Sequence, residues 1–524
     1  MRAVRFTIMT TMRLISSRRP RPIVVGFALT CALVGVSASS ALAAYDPSDP
    51  AQKAEYDQAL AVGTQGYVYG RPVVNTERVF QTHTSVNVCD GRGHAPVNQF
   101  CGFRDLADPD DRTVVAPDTS GLYTAAWLDL TPRAQVIHVP DTGARFNVVP
   151  LLSPWQENFA IMGNGPSGIL PPGDYVIRGP GSRGFRDRGL PVIDSPYDRV
   201  WIIMRTGLND PPDLDAVHAI QAAATITPVD KWGKNKPYVL RAPNHPDTTL
   251  NDATIPGTEP GEDPLDFFDA LNAELARFLP PAVDQPTLDQ LATVGIGPGL
   301  KAPSKNRKLS DATLAGLRDA VAAGEAKVDA LLSQAIAAGF TAHNGYFIGD
   351  IGNYGTNYNL RAIVDKVGLG ALPVNVTIYA LGLTDRLGAQ FDGATKRYVA
   401  HFNAPAGPLP NLPIPSTFWS LTMYDADFFF VPNPFDRWVI NKDSDLHYNA
   451  DGSLDFYLQT SAPTDPDQFK NWLPTPAGSF RVIWRIASPD TYQGIIDGSG
   501  WRFATILPCL ASGSTAAGWA CASQ

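Results

Sequence analysis

The stretch Thr417-Phe418-Trp419-Ser420-Leu421-Thr422-Met423-Tyr424-Asp425-Ala426-Asp427, running on through Phe428-Phe429-Phe430-Val431-Pro432-Asn433-Pro434-Phe435-Asp436-Arg437-Trp438, decides how the chain is read. Aromatic and β-branched residues alternate with small polar ones, which is the pattern of a strand. A period of two sets Phe418, Ser420, Thr422 and Tyr424 on one face and Trp419, Leu421, Met423, Asp425 and Asp427 on the other. An apolar wall ending in two carboxylates matches the rim of a pocket. The same residues equally fit a sandwich core, with Asp-Ala-Asp opening a turn.

Working outward, strand patterns recur at Tyr398 to Phe402, Leu454 to Gln459 and Phe480 to Ile486, and Asn449-Ala450-Asp451-Gly452 reads as a hairpin turn. The N-terminal half repeats the theme at 122–130, 135–139, 146–152, 158–162, 174–178 and 200–205, with Pro and Gly turns between the runs. Between these halves, 214–224, 264–278 and 311–338 are rich in Ala and Leu at helical spacing, with Ser310 as N-cap of the longest. Ahead of everything, Asp49 to about Thr82 reads as a helix that Pro72 bends or restarts. The polar, Pro-rich span Asn244 to Asp263 reads as an exposed connection. The expected class is α+β and β-rich: two antiparallel β-sandwich or jelly-roll-like domains with a helical insertion between them. The expected division is a signal peptide at 1–43, an N-terminal β-rich domain with its leading helix at 44–210, a helical connector at 211–344 and a C-terminal sandwich at 345–524.

A chain of 524 residues needs more than one core, and 45 Gly with 46 Pro favour short strands and ordered loops. The first 43 residues carry six Arg and no acid, then an apolar run from Ile23 to Val36, then Ala41-Leu42-Ala43. That order is a secretory signal, so the expected location is exported, periplasmic or extracellular. Arg18-Arg19 fits a twin-arginine route, with Pro20 and Pro22 against it. Without those six Arg, 36 basic side chains face 51 acidic ones, a net charge of about −15. That balance disfavours nucleic acid and anionic membrane surfaces. No later stretch is long and apolar enough to span a membrane. Cys89 with Cys101, and Cys509 with Cys521, each enclose a short loop and are the expected disulfides of an exported protein.

Several chemistries lack their signatures. The eight His never fall three to five residues apart, there is no Gly-x-Ser-x-Gly elbow, and no phosphate-binding loop occurs. Two Gly-x-Gly-x-x-Gly runs, at 163–168 and 179–184, lead into Pro-rich or strand-like sequence instead of a helix, and read as hairpin loops. The acids from Asp443 to Asp455 lack the ligand spacing of a calcium loop. No cofactor and no metal site is therefore expected. What remains is polar groups set among aromatic strand residues. Tyr123, Trp127 and Asp129 share a face; Trp155 is followed by Gln156, Glu157 and Asn158; Trp201 and Arg205 share a face, and so do Trp419, Asp425 and Asp427. Tryptophan beside carboxylate, amide and Arg suits a ligand with both apolar faces and hydroxyls, such as a sugar or polyol. Same-face neighbours on a strand lie about 7 Å apart, a spacing that suits paired carboxylates in hydrolysis. The plain alternative is that Arg205 and Arg437 pair with acids at strand ends.

Tyr67-Val68-Tyr69-Gly70 with Pro72, the run Leu122-Tyr123 to Leu130, and Trp201 to Thr206 resemble the bacterial domain of unknown function 1254. Phe418 to Tyr424, Asn433-Pro434 with Arg437, Asn449 to Leu454 and Asn471-Trp472-Leu473-Pro474 with Gly478 resemble its usual partner, domain of unknown function 1214. The resemblance covers nearly the whole chain after residue 43. It implies two β-rich, sandwich-like regions with helical additions in a protein often bearing an export signal, and it implies no activity. One motif departs from the first family: where Pro-Asn-x-Asp-Thr-Leu-Tyr is usual, this chain has Pro117-Asp118-Thr119-Ser120-Gly121-Leu122-Tyr123. An acid role would then fall to Asp118.

The expected function is an exported hydrolase or lyase acting on a carbohydrate or another polyhydroxylated compound. Asp425, Asp427 or Asp118 would do the acid/base work, while Tyr123, Trp127, Trp155, Trp419 and Tyr424 shape the pocket and Arg205 or Arg437 holds an anionic group. The alternatives are a binding protein using the same cleft without turnover and an envelope-associated structural protein. The expected partner is a small-molecule or glycan ligand, and a homo-oligomer is compatible with the sequence.

Overall fold

Asp49 starts the first helix, its carboxylate accepting the N–H of Ala51 at 2.9 Å ahead of Pro50. In the computed structural model this helix, Pro50–Thr84, is continuous through Pro72. The structure describes residues 45–112, 115–165, 169–182, 187–209, 212–234, 254–403, 418–487, 492–497, 502–511 and 519–521. The expected signal peptide at 1–43, residue Thr417 and most of the expected connection from Asn244 lie outside these.

A second long helix, Asp311–Ala342, is capped by Ser310, whose hydroxyl accepts the Thr313 N–H at 3.1 Å. The two long helices cross closely because both are cut back to glycine at the contact. A Cβ on Gly316 would stand 2.5 Å from the Tyr56 carbonyl, and one on Gly63 would stand 2.7 Å from Ala320 Cβ. Leu265–Arg277 and Tyr358–Val367 pack beside them, and Tyr67, Phe267, Phe268, Leu271 and Leu317 form their buried core. The helical connector thus packs on the leading helix as one layer.

The first sandwich pairs two sheets. One runs in the order Cys101–Gly102, Gly121–Asp129, Arg199–Gly207, Asn147–Leu152, Asn158–Asn164, and is antiparallel throughout. The other runs Val192–Asp194, Gly173–Arg178, Gln135–Val139, Thr225–Pro228. Ala126, Leu128, Val200, Ile202 and Met204 face Ile137, Val139 and Ile177 across the core. The second sandwich repeats the plan. Its first sheet is Tyr346–Ile348, Thr377–Gly382, Phe480–Ala487, Phe418–Asp425, Val439–Asn441. Its second is Trp472–Pro474, Leu454–Gln459, Arg397–Phe402, Ile506–Ala511, Trp519–Cys521. Trp419, Leu421, Met423, Val482, Trp484 and Ile486 meet Tyr398, Ala400, Phe456 and Leu458 in that core.

The period of two therefore leaves each sandwich with a second face. In the strand Gly121–Asp129 the odd residues, and in Arg199–Gly207 the odd residues again, point away from the first core. In the second sandwich the residues left over are Thr377, Tyr379 and Leu381, Ile483 and Arg485, and Phe418. Tyr123, Ala125, Trp201, Ile203 and Arg205 of the first set line one shared space with the second set. The chain adopts the expected α+β, β-rich architecture of two sandwiches with helical additions, antiparallel except where Gly173–Arg178 pairs with Val192–Asp194 and Leu454–Gln459 with Trp472–Pro474 in parallel.

Candidate functional site

The outer faces of the two sandwiches enclose a cavity of about 200 Å³. Its apolar wall includes Phe103, Phe146, Ile203, Phe347, Leu372, Leu381, Phe418 and Ile483. The loop before strand Gly121–Asp129 and the segment between Phe347 and Leu372 close its sides. A small number of polar groups interrupt this wall, the usual composition of a small-molecule site.

Arg485 is the most connected of them. It is 6% exposed and projects from the strand Phe480–Ala487. Its Nη1 donates to Thr422 Oγ1 at 3.0 Å, and its Nη2 donates to Ala116 O at 2.8 Å and to Tyr424 Oη at 2.9 Å. Its Nε lies 3.9 Å from the Asp118 carboxylate. Burial works against the Arg485 charge, but Tyr424 and Asp118 more than offset it, so its pKa is held above the usual guanidinium range. Asp118 also accepts the Ser120 N–H at 3.0 Å, which fixes the carboxylate against the cavity wall. Burial, reinforced by Asp118, pushes the Tyr123 hydroxyl up to about 12, so at neutral pH it is a hydrogen-bond donor.

Arg205 lines the same cavity from the neighbouring strand. Nη1 donates to Ile203 O at 3.1 Å and Nη2 to Gly370 O at 2.6 Å, and the guanidinium carbon lies 5.8 Å from the centre of the Tyr123 ring. At the far end His83 reaches the wall from the leading helix. Burial, with His94 and Arg78 adding to it, pushes His83 down to about 3. The neutral ring accepts the Trp127 indole N–H at Nδ1, 3.3 Å away, and so carries its own proton on Nε2. Three residues of the wall each carry a buried side-chain atom with no hydrogen-bond partner among the described residues: Ser120 at Oγ, Trp201 at Nε1 and Thr377 at Oγ1.

The residues singled out from sequence separate into those on this wall and those away from it. Asp118, Tyr123 and Arg205 line it together. Tyr424 stands directly behind, donating to Pro117 O at 2.5 Å. Trp127 stacks on Trp201 with ring centroids 5.1 Å apart and backs the wall. Trp419 lies in the core of the second sandwich, against Phe456 and Trp484. Trp155 lies in the helical core, its indole N–H donating to Phe278 O at 3.3 Å. Arg437 donates to the carbonyls of Phe469 and Lys470 at 2.9 and 2.5 Å. Asp425 caps its own turn, accepting the N–H groups of Asp427 and Phe429 at 2.9 Å each, and pairs with Arg112 at 3.3 Å. Asp427 is exposed on that turn, and neither carboxylate lies on the cavity wall.

Arg485, Tyr379, Thr377 and His83 complete the site without having been singled out. A sequence signal existed for the first: Arg485 is a lone charge inside the apolar run Val482-Ile483-Trp484-Arg485-Ile486-Ala487, on the face opposite Trp484. The strand Thr377–Gly382 carries Tyr379 and Thr377 to the wall. The expected disulfide Cys89–Cys101 is formed. The ladder places Cys509 directly opposite Cys521. Among the described residues no group of three or more His, Cys, Asp and Glu is arranged to hold a metal, and no helix is long and apolar enough to cross a membrane.

Comparison with known proteins adds family and fold. Residues 97–228 match the family model described as Protein of unknown function (DUF1254), and residues 376–491 match that described as Protein of unknown function (DUF1214). No curated protein matches the chain. Among solved structures, the VPA0106 protein from Vibrio parahaemolyticus is similar at 18% identity and a TM-score of 0.56, over 86% of this chain and 99% of that one. A putative uncharacterized protein from Burkholderia cenocepacia matches at 14% identity and a TM-score of 0.38, over 83% of this chain and 90% of that one. The Vibrio protein shares the fold.

Proposed function

We propose that this chain, which joins a DUF1254 region to a DUF1214 region in that order, is an exported protein that takes a small amphipathic molecule into the cavity between its two sandwiches. One observation carries the reading: Ser120, Trp201 and Thr377 line this largely apolar cavity, and each has a buried side-chain donor that lacks any partner among the described residues. A buried donor left unpaired costs about 1–3 kcal/mol, so a guest toward which these side chains can turn recovers part of that cost. The guest this wall fits has an apolar body with polar groups at its ends. Trp155 and Trp419, expected from sequence to stack on a sugar, have their rings packed in cores away from this wall.

A thermal-shift screen of the chain from residue 44 onward tests this, with apolar acids, alcohols and phenols in one arm and sugars and polyols in the other. A ligand at a hundred times its dissociation constant adds about 2.7 kcal/mol to stability. Stabilisation by the first arm, lost in Trp201→Phe, is the expected result. Stabilisation by polyols alone, or by nothing in either arm, would overturn the reading.

A second reading keeps the hydrolase or lyase expectation, and the observation that favours it is Asp118 on the cavity wall beside Arg485. Asp425 and Asp427 lie off that wall, so acid/base chemistry there would rest on Asp118. Its test is product formation from any ligand the screen finds, with Asp118→Asn expected to bind and not turn over.

A further inference from the structure

We infer that the ligand of this cavity is a carboxylate with an apolar body, and that Arg205 receives the carboxylate. This rests on the cavity being a ligand site. Arg205 lines the wall and, among the described residues, forms no ion pair. Its two hydrogen bonds among the described residues go to neutral carbonyls, those of Ile203 and Gly370, which fix the guanidinium without cancelling its charge. An uncompensated cation beside an apolar cavity is costly, and an incoming anion removes that cost.

The other charges on the wall do not supply the counter-ion. Asp118 faces Arg485 at 3.9 Å. Asp105 is exposed and Asp111 accepts the Asp108 N–H at 3.1 Å, and among the described residues neither forms an ion pair with Arg205. His83 is bonded to Trp127 and neutral. The charges of Asp118, Arg485 and Arg205 all bear on the Tyr123 hydroxyl, and of these three Arg205 is the one that forms no ion pair among the described residues. One unmatched positive charge suits a monoanion. A planar carboxylate also suits the remaining N–H groups of one guanidinium, which present a fork. Tyr123 Oη has no hydrogen-bond partner among the described residues and stands over the same corner, so it is placed to add a donor.

Isothermal titration of the chain with decanoate and phenylbutyrate, each against the alcohol of the same skeleton, tests this directly. The expected result is that the acids bind at least about tenfold more tightly than the alcohols, the discrimination one charge-assisted pair provides. Arg205→Gln should erase that ratio, and Arg205→Lys should keep part of it. Alcohols binding as well as acids to the unaltered chain overturns the carboxylate assignment and leaves the cavity reading standing; that comparison needs no variant to fold. Failure of acids and alcohols alike overturns both. An acid preference that survives Arg205→Gln overturns the role of Arg205.

Discussion

Arg485 and Tyr424 hold the two halves of the cavity together: the guanidinium donates to the phenol oxygen at 2.9 Å, and the phenol donates onward to the carbonyl of Pro117 at 2.5 Å. Arg485 and Tyr424 belong to the second sandwich, and Pro117 leads into the first. Tyr424→Phe keeps the ring and removes both bonds, leaving a buried carbonyl and one guanidinium N–H short of a partner. The expected loss is about 1–3 kcal/mol, read as a lower urea midpoint with an unchanged slope. An unaltered midpoint would mean the phenol contributes nothing to the junction.

Trp127 and Trp201 stack at 5.1 Å with an angle of 3° between rings, and Phe80 meets Trp127 edge-on at 5.4 Å. Trp127→Ala removes a fully buried ring from behind the cavity wall and is expected to cost about 3–5 kcal/mol, with Trp127→Phe costing less. Chemical denaturation of the two variants checks the order, and a cost for Ala no larger than that for Phe would contradict it.

Glu274 sits in the helix Leu265–Arg277, where burial and then the charge of Glu77 push its carboxyl up to about 7 from an ordinary 4.5. The folded chain therefore holds this proton over a range in which the unfolded chain has released it. The resulting stability is complete below about pH 4.5 and is lost as pH rises through about 7, at up to about 1.4 kcal/mol per pH unit. Glu274→Gln has no such loss. Its stability relative to the parent chain should therefore be greater at pH 8 than at pH 5 by about 2 kcal/mol. Unfolding curves at the two pH values measure this, and a difference independent of pH would refute it.

Cys89 and Cys101, twelve residues apart in sequence, close the loop that carries Asp90 and His94. His94 bonds Asp90 at 2.7 Å, and its ring lies 4.9 Å from that of His83 on the cavity wall. Cys101→Ser is expected to lose about 2–4 kcal/mol under oxidising conditions. Differential scanning calorimetry of the two chains without reductant checks the figure, and equal melting temperatures would contradict it.

Local pattern is enough to place the longer central strands and the faces each presents. Alternation in Phe418 to Tyr424, Leu122 to Leu130 and Phe480 to Ile486 follows from the two-residue repeat of an extended backbone, which needs no tertiary contact. The caps at Asp49 and Ser310 and the Cys89–Cys101 loop are equally local. Tertiary structure alone decided which face became a core and which became the cavity wall. Both faces of the central strands are buried here, one inside a sandwich and one between sandwiches, so apolar character does not tell them apart. Trp419 went to a core and Phe418 to the wall although they are adjacent in sequence. Asp118, Arg205 and Arg485 meet across long sequence separations, and no spacing within a strand encodes that meeting. It depends on two sandwiches and a helical layer closing around the same space.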